Sequence, residues 1–405
     1  MSSNVLYITY DGLLEPLGQS QVLRYLEKLS DSYTIYLISF EKAKDWQNVL
    51  ERQRIQKKVH SHQIHSHQIH WIPLKYHKSP SALATTYDLF QGITVALFIA
   101  VTRRIKIVHA RSYVPSVIAL VLKKLLRTKF IFDMRGFWAD ERVDGGIWPA
   151  NSQLYHLAKW FEKQFLLNAD HTVSLTEAAI DIIQNFKYIK GRSISISCIR
   201  TCTDLELFNT KERIKNNKEG YLTIGYIGSV TGWYLFEETI KFFEIINIIK
   251  PHSRFYILNK GEHDFIRQKL AFSNINTENL ILEESSPQEI SRKMSVINFC
   301  VFFIKPVFSK IASCPTKLGE LLASGIPCVT NDGVGDMTQI IEQEKVGVIL
   351  RSFDESAMRK AAEEILELLQ DEHLSQRCRA AAIKYFSLEE GVKDYQNIYQ
   401  QLVNE

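Results

Sequence analysis

PTKLGELLASGIPCVTND, from Pro315 to Asp332, reads as a helix, a turn and a strand in immediate succession. Pro315 suits a helix's first turn, where a missing amide proton leaves no bond unmade, while Gly325 suits a left-handed stop and Pro327 prevents resumption. About three turns fit between those marks. Leu318, Leu321 and Leu322 form an apolar stripe, and Lys317, Glu320 and Ser324 fall on the other side, so the spacing predicts a cation and a carboxylate on one exposed face. Free N–H groups at the helix start favour an anion beside Thr316 and Lys317. Glu320, one turn on, offers several acceptor positions to the hydroxyls of a ribose. A ligand-free surface Lys–Glu pair, contributing roughly 0.2–0.5 kcal/mol, has the same spacing.

Outward from this stretch, short β-branched runs alternate with longer segments of helical period, which predicts an α/β fold of parallel sheets covered by helices on both faces. One series of strands is expected at residues 5–10, 34–40, 69–74, 105–109, 129–133, 171–174 and 194–197. A second is expected at 222–227, 254–258, 279–282, 297–302, 327–330 and 347–350. The polar segment 209–220 between the series reads as a linker, and the amphipathic end of the chain as a helix able to pack back on the first series. The expected division is 1–208, 221–385 and a C-terminal helix at 386–405.

PTKLGELLASGIPCVTND, followed by Gly333-Val334-Gly335-Asp336 and Val346-Gly347-Val348, resembles the donor-site block of retaining GT-B glycosyltransferases, particularly glycosyltransferase family 4. LGQSQVLRYL (17–26), DMRGFWADER (133–142) and Cys202-Thr203-Asp204 with Phe208 resemble further segments of that family, so the likeness extends along nearly the whole chain. It implies two Rossmann-like lobes facing across a cleft, a nucleotide-sugar donor on the second lobe and a glycan or lipid-linked acceptor on the first. The implied activity is sugar transfer with retention and without metal, in the assembly of bacterial surface polysaccharide. Glu320 matches the second Glu of the family's Glu-x7-Glu motif, the one expected on the ribose. Ala312 stands where the first Glu usually grips the sugar, and the loop Gly228-Ser229-Val230-Thr231-Gly232-Trp233 lacks the usual Arg and Lys. Another cation must then face the phosphates, and Lys317 or Lys260 is the candidate. Gly228 and Ser229 remain expected donor contacts.

In the first half, Gly18 lies where a βα turn is expected to let backbone approach a ligand. His109, Arg111, Asp133 and Arg135 lie at expected strand ends, the edge where open α/β sheets bind ligands. Asp133 is a candidate to orient Arg135 or to receive an acceptor proton, His109 to share that catalysis, and Arg135 to stabilise a departing phosphate or hold an acidic acceptor. Arg111 and Trp138 are candidate acceptor contacts. A structural ion pair is the plainer reading of Asp133 and Arg135. Neither an Asp-x-Asp metal dyad at a strand end nor a Walker or Gly-x-Gly-x-x-Gly loop is present, which argues against metal-dependent transfer, phosphoryl transfer and dinucleotide redox chemistry. No cofactor and no nucleic-acid partner is expected.

Charge is divided unevenly, +10 up to residue 200 and −6 beyond it. A basic first half suits an anionic partner, and Arg103, Arg104, Lys106, Lys123, Lys124, Arg127 and Lys129 follow two apolar helical stretches, as surface attachment to a membrane requires. Solvated helix faces give the same pattern. The apolar run 93–101 is too short to cross a bilayer, and residues 1–4 show no secretory signal, so a cytoplasmic protein is expected, at most peripheral on the membrane. Six cysteines without a Cys-x-x-Cys pair read as reduced thiols. The tandem HSHQI repeat over 60–69 is more economically a chance duplication than a metal site. Two other readings stay open: a nucleotide-sugar epimerase or hydrolase of the same fold, and a non-catalytic partner subunit.

Overall fold

A computed structural model describes residues 4–61, 68–79, 81–210, 221–286 and 289–404. Most of the histidine repeat and of the linker at 209–220 lies outside them. Two compact units emerge, one formed by 1–199 with 389–405 and the other by 200–388. The first division falls earlier than residue 208 because Phe208 belongs to the second unit's apolar core, and Arg379 there donates to the carbonyls of Leu205 and Phe208.

In the first unit β1 (Asn4–Thr9), β2 (Thr34–Glu41), β3 (Ile69–Lys75), β4 (Ile107–Arg111), β5 (Lys129–Asp133), β6 (His171–Ser174) and β7 (Ile196–Cys198) form a parallel sheet in the order β3-β2-β1-β4-β5-β6-β7. In the second, β8 (Thr223–Ile227), β9 (Arg254–Leu258), β10 (Leu280–Glu283), β11 (Phe299–Val301), β12 (Cys328–Asn331) and β13 (Gly347–Leu350) are ordered β10-β9-β8-β11-β12-β13. Each expected strand is present, with ends shifted by a few residues. The largest trims are at β4 and β7, which each start two residues later than the apolar pattern suggests, and β11, which loses two residues at its start and one at its end. Burial on both faces explains the run-like patterns: Val5, Leu6 and Ile8 are all inaccessible, as are Val108 and Ala110 opposite them. Helices seal the sheets through aromatic contacts such as Phe243 on Phe255, whose ring centroids lie 4.6 Å apart.

The strand order reverses between β1 and β4 in one sheet and between β8 and β11 in the other. At such a switch the loops leave in opposite directions and open a crevice beyond the strands' carboxyl ends. The final helix, Leu388–Asn404, turns Tyr395, Ile398, Tyr399 and Leu402 into the core of the first unit. All six cysteines are free.

Helix Ser81–Thr102 changes the reading of the longest apolar segment. Its stretch Leu83–Thr102 is long and apolar enough, by length and composition, to cross a membrane. One side is nevertheless packed on the unit, with Ala84, Asp88, Ala96 and Ile99 buried.

Candidate functional site

In the second unit the decisive stretch folds into helix Thr316–Ala323, with Pro315 as its N-cap and Gly325 left-handed at φ 70° just past its end. Leu318, Leu321 and Leu322 are buried as expected, but Lys317 is not on an exposed face. Only 7% of it is accessible. Its ammonium lies 3.7 Å from the ring centroid of Tyr234, 5.0 Å from that of Tyr226 and 5.3 Å from that of Phe302. Helical periodicity could not reveal this, because the three rings come from the strand ends and loop beside the helix. Among the described residues the Lys317 Nζ has no hydrogen-bond partner.

Burial drives the Lys317 pKa down to about 7, with Cys300, Glu320 and Glu262 acting in the opposite direction. Glu320 is pushed up to about 7 by burial, against the pull of Lys317. A buried ammonium without a bonded anion is costly. Gly228, left-handed at φ 96°, passes directly over it: a Cβ at 228 would stand 3.6 Å from the Nζ. Thr316, half-buried, occupies the helix's first turn beside it.

The rest of the 228–233 loop is held by Glu262. Its carboxylate accepts from the Ser229 hydroxyl at 2.9 Å, the Val230 amide at 3.0 Å, the Thr231 hydroxyl and the Asn259 amide group at 2.8 Å. Partial burial raises its pKa, but the bonds from Thr231, Asn259, Val230 and Ser229 outweigh that and hold it below the usual value. Ser229 is therefore committed to Glu262. Lys260 is exposed and takes no place in this cluster. The cation that joins the loop is instead Lys310, whose Nζ sits 3.9 Å from the ring centroid of Trp233. Lys310 and Glu262 were missed as site residues; the only signals were Lys310 two positions ahead of Ala312 and Glu262 at the end of the Asn259-Lys260-Gly261-Glu262 turn. Ala312 itself is buried.

In the first unit, His109 ends near Asp133 as their strand positions suggest, but both are only 1% exposed. Tyr399 Oη lies 2.7 Å from His109 Nδ1, and Tyr395 Oη donates to Asp133 at 3.2 Å. The C-terminal helix thus covers the pair. His109 Nε2 and Asp133 Oδ1 have no hydrogen-bond partner among the described residues. Burial lowers the His109 pKa, against the pull of Asp133. Burial alone would raise the Asp133 pKa, yet Arg135, 3.6 Å away, and His109 bring it below the ordinary value.

Arg135 has a left-handed backbone at φ 52°, a conformation costing about 1–3 kcal/mol that the surrounding structure must enforce. Arg111 is buried in an ion pair with the partly exposed Asp11. Trp138 is half-buried, 5.4 Å from the Tyr113 ring and 5.2 Å from the Trp148 ring. Gly18 is not in a turn but inside the helical segment that starts at Pro16, where a Cβ would run into the Gly12 carbonyl. Its missing side chain permits that close backbone packing.

Two family models match the chain in tandem. Residues 54–194 match the glycosyl transferase 4-like domain, and residues 208–385 match glycosyl transferases group 1. This chain is a GT-B glycosyltransferase. No curated protein matches the glycosyltransferase by sequence. Solved structures share its fold at low identity. A sucrose-phosphate synthase from Thermosynechococcus elongatus aligns over 99% of both chains with 12% identity and a TM-score of 0.70. A glycosyltransferase from Rickettsia africae aligns over 99% of both with 14% identity and a TM-score of 0.67. The HepE protein of Anabaena, solved with UDP and glucose, aligns over 98% of this chain and 99% of its own, with 11% identity and a TM-score of 0.68.

Proposed function

We propose that this glycosyltransferase draws its sugar from a nucleotide-sugar on the second lobe and transfers it to a hydroxyl of a glycan or lipid-linked acceptor on the first. The reading extends to bacterial surface polysaccharide, assembled at the inner face of the cell membrane. Its main support is the buried, bond-free ammonium of Lys317 under Gly228, one helical turn from Glu320. A phosphate arriving there meets a cation that burial has made costly, so binding relieves the cost and restores the full charge. Both hydroxyls of a ribose donating to Glu320 would in turn favour its ionised form. That the Anabaena relative was solved with UDP and with UDP-glucose supports a nucleoside diphosphate sugar as the donor class.

In this reading the charge growing on the leaving phosphate is met by Lys317, the helix start at Thr316 and Lys310, with no resident metal. The leaving oxygen takes the acceptor's proton on the face it departs from, and the anomeric configuration is kept. Arg135, fixed by Asp133, holds an acidic group of the acceptor. Calorimetric titration with UDP, GDP and ADP tests the donor half: Glu320→Ala should weaken the preferred nucleotide at least about tenfold, the worth of one charge-assisted bond. Unchanged affinity would remove Glu320 from the ribose. Anomeric coupling constants of the product test retention, and release of free sugar without acceptor would point to hydrolysis.

A further inference from the structure

Helix Ser81–Thr102 carries one charged residue, Asp88, and that residue faces inward. Its carboxylate is 2.6 Å from His77 Nδ1 and accepts from the Tyr10 hydroxyl at 2.7 Å. The outward side is different. Leu83, Tyr87, Phe90, Phe98 and Val101 are all exposed, Phe90 by 70% and Phe98 by 69%. With exposed Thr94 between Phe90 and Phe98, they recur every three or four residues along one face of a helix about 33 Å long.

The neighbouring helix, Tyr113–Leu126, packs alongside and ends at the same edge of the sheet, where Leu125 is also exposed. There the two helix ends form a basic rim of Arg103, Arg104, Lys106, Lys124 and Arg127, all exposed. The Lys129 amide donates to the Lys106 carbonyl at 2.8 Å, which ties the two ends of the rim together. No acidic residue occurs between Asp88 and Asp133 in the sequence.

We propose that this face docks on an anionic phospholipid bilayer, with the apolar stripe of helix Ser81–Thr102 lying in the interface and the basic rim on the headgroups. The charge pattern selects the occupant. A second copy of the chain would bring a face of the same composition, apolar and cationic with no acid to answer the rim. A bilayer of anionic lipid supplies both hydrocarbon and negative charge. The packed inner side, where Gly92 lies against Ile118 and Phe40, keeps the helix on the lobe, so it lies on the membrane and does not cross it. The inference stands independently of the donor chemistry.

Flotation of the full chain with vesicles tests it. The chain should float with phosphatidylglycerol–phosphatidylcholine vesicles and not with phosphatidylcholine alone, and binding should weaken as salt rises. Replacing Arg103, Arg104 or Lys124 by Gln should each lower the partition coefficient on the order of fivefold. Phe90→Glu with Phe98→Glu should lower it more than about tenfold with the melting temperature unchanged, since both side chains are exposed. Hydrogen exchange over residues 83–102 of the unmodified protein should slow when anionic vesicles are added, a readout that does not depend on any variant folding. Equal binding to neutral vesicles, binding that survives these substitutions, or a concentration-dependent dimer that Phe90→Glu abolishes in place of vesicle binding would overturn it.

Discussion

Each lobe gathers opposite charges at the carboxyl edge of a parallel sheet, yet the two clusters are completed differently. In the first, Asp133 is enclosed by His109, Arg135 and Tyr395, and the last helix of the chain lies over it. In the second, Lys317 is also buried but among aromatic rings, and its ammonium has no bonded anion among the described residues. The first cluster is largely paired internally, although Asp133 Oδ1 and His109 Nε2 have no hydrogen-bond partner among the described residues; in the second it is the ammonium itself that has none. In the sequence, strand-end position had suggested the first cluster and a helix start the second.

Substitutions should therefore separate the lobes. Asp133→Ala leaves Arg135 buried without its carboxylate and should cost about 3–5 kcal/mol of stability, read as a lowered urea midpoint. Lys317→Met should do the reverse, cutting turnover about a hundredfold to a thousandfold, as loss of one charge-stabilising donor does, while leaving the melting temperature unchanged or higher. Gly18→Ala, which drives a methyl into the Gly12 carbonyl, should destabilise by about 1–3 kcal/mol without changing nucleotide affinity. Tyr395→Phe removes one hydroxyl from Asp133 and should cost about 0.5–1.5 kcal/mol. If Asp133→Ala abolished turnover with stability intact, the contrast between the clusters would be wrong.

The pH dependence sharpens the same contrast. Glu320 keeps its proton in the folded chain up to about pH 7, whereas its ordinary value is 4.5, so its contribution to stability falls as pH rises across that interval. Lys317 is neutral in the fold above about pH 7 but charged in the unfolded chain up to 10.5, so stability recovers across the second interval. The ligand-free protein should show a shallow stability minimum near pH 7, read from melting temperatures. It should be absent in the Glu320→Gln, Lys317→Met double variant.

Much of this was legible in the residues. The strand series was readable because strands buried on both faces are apolar almost throughout, and the helix at Thr316–Ala323 because Pro315 and Gly325 bracket it. Side-chain burial was not. Lys317 read as exposed because local periodicity carries no information about Tyr226, Tyr234 and Phe302. Nor does the spacing around His109 announce that Tyr399, 290 positions later, closes over it. Lys310 and Glu262 went unassigned for the same reason: each acts on the 228–233 loop from a distant turn.

Proton linkage reports on the Lys317 ammonium itself. UDP titrated calorimetrically at pH 8, in buffers of differing ionisation enthalpy, reports the protons taken up on binding. Lys317, largely neutral in the free protein at that pH, should gain a proton as the phosphate arrives, so uptake approaching one proton is expected and should vanish in Lys317→Met. Binding of equal strength in both proteins, with no proton taken up by either, would contradict the account.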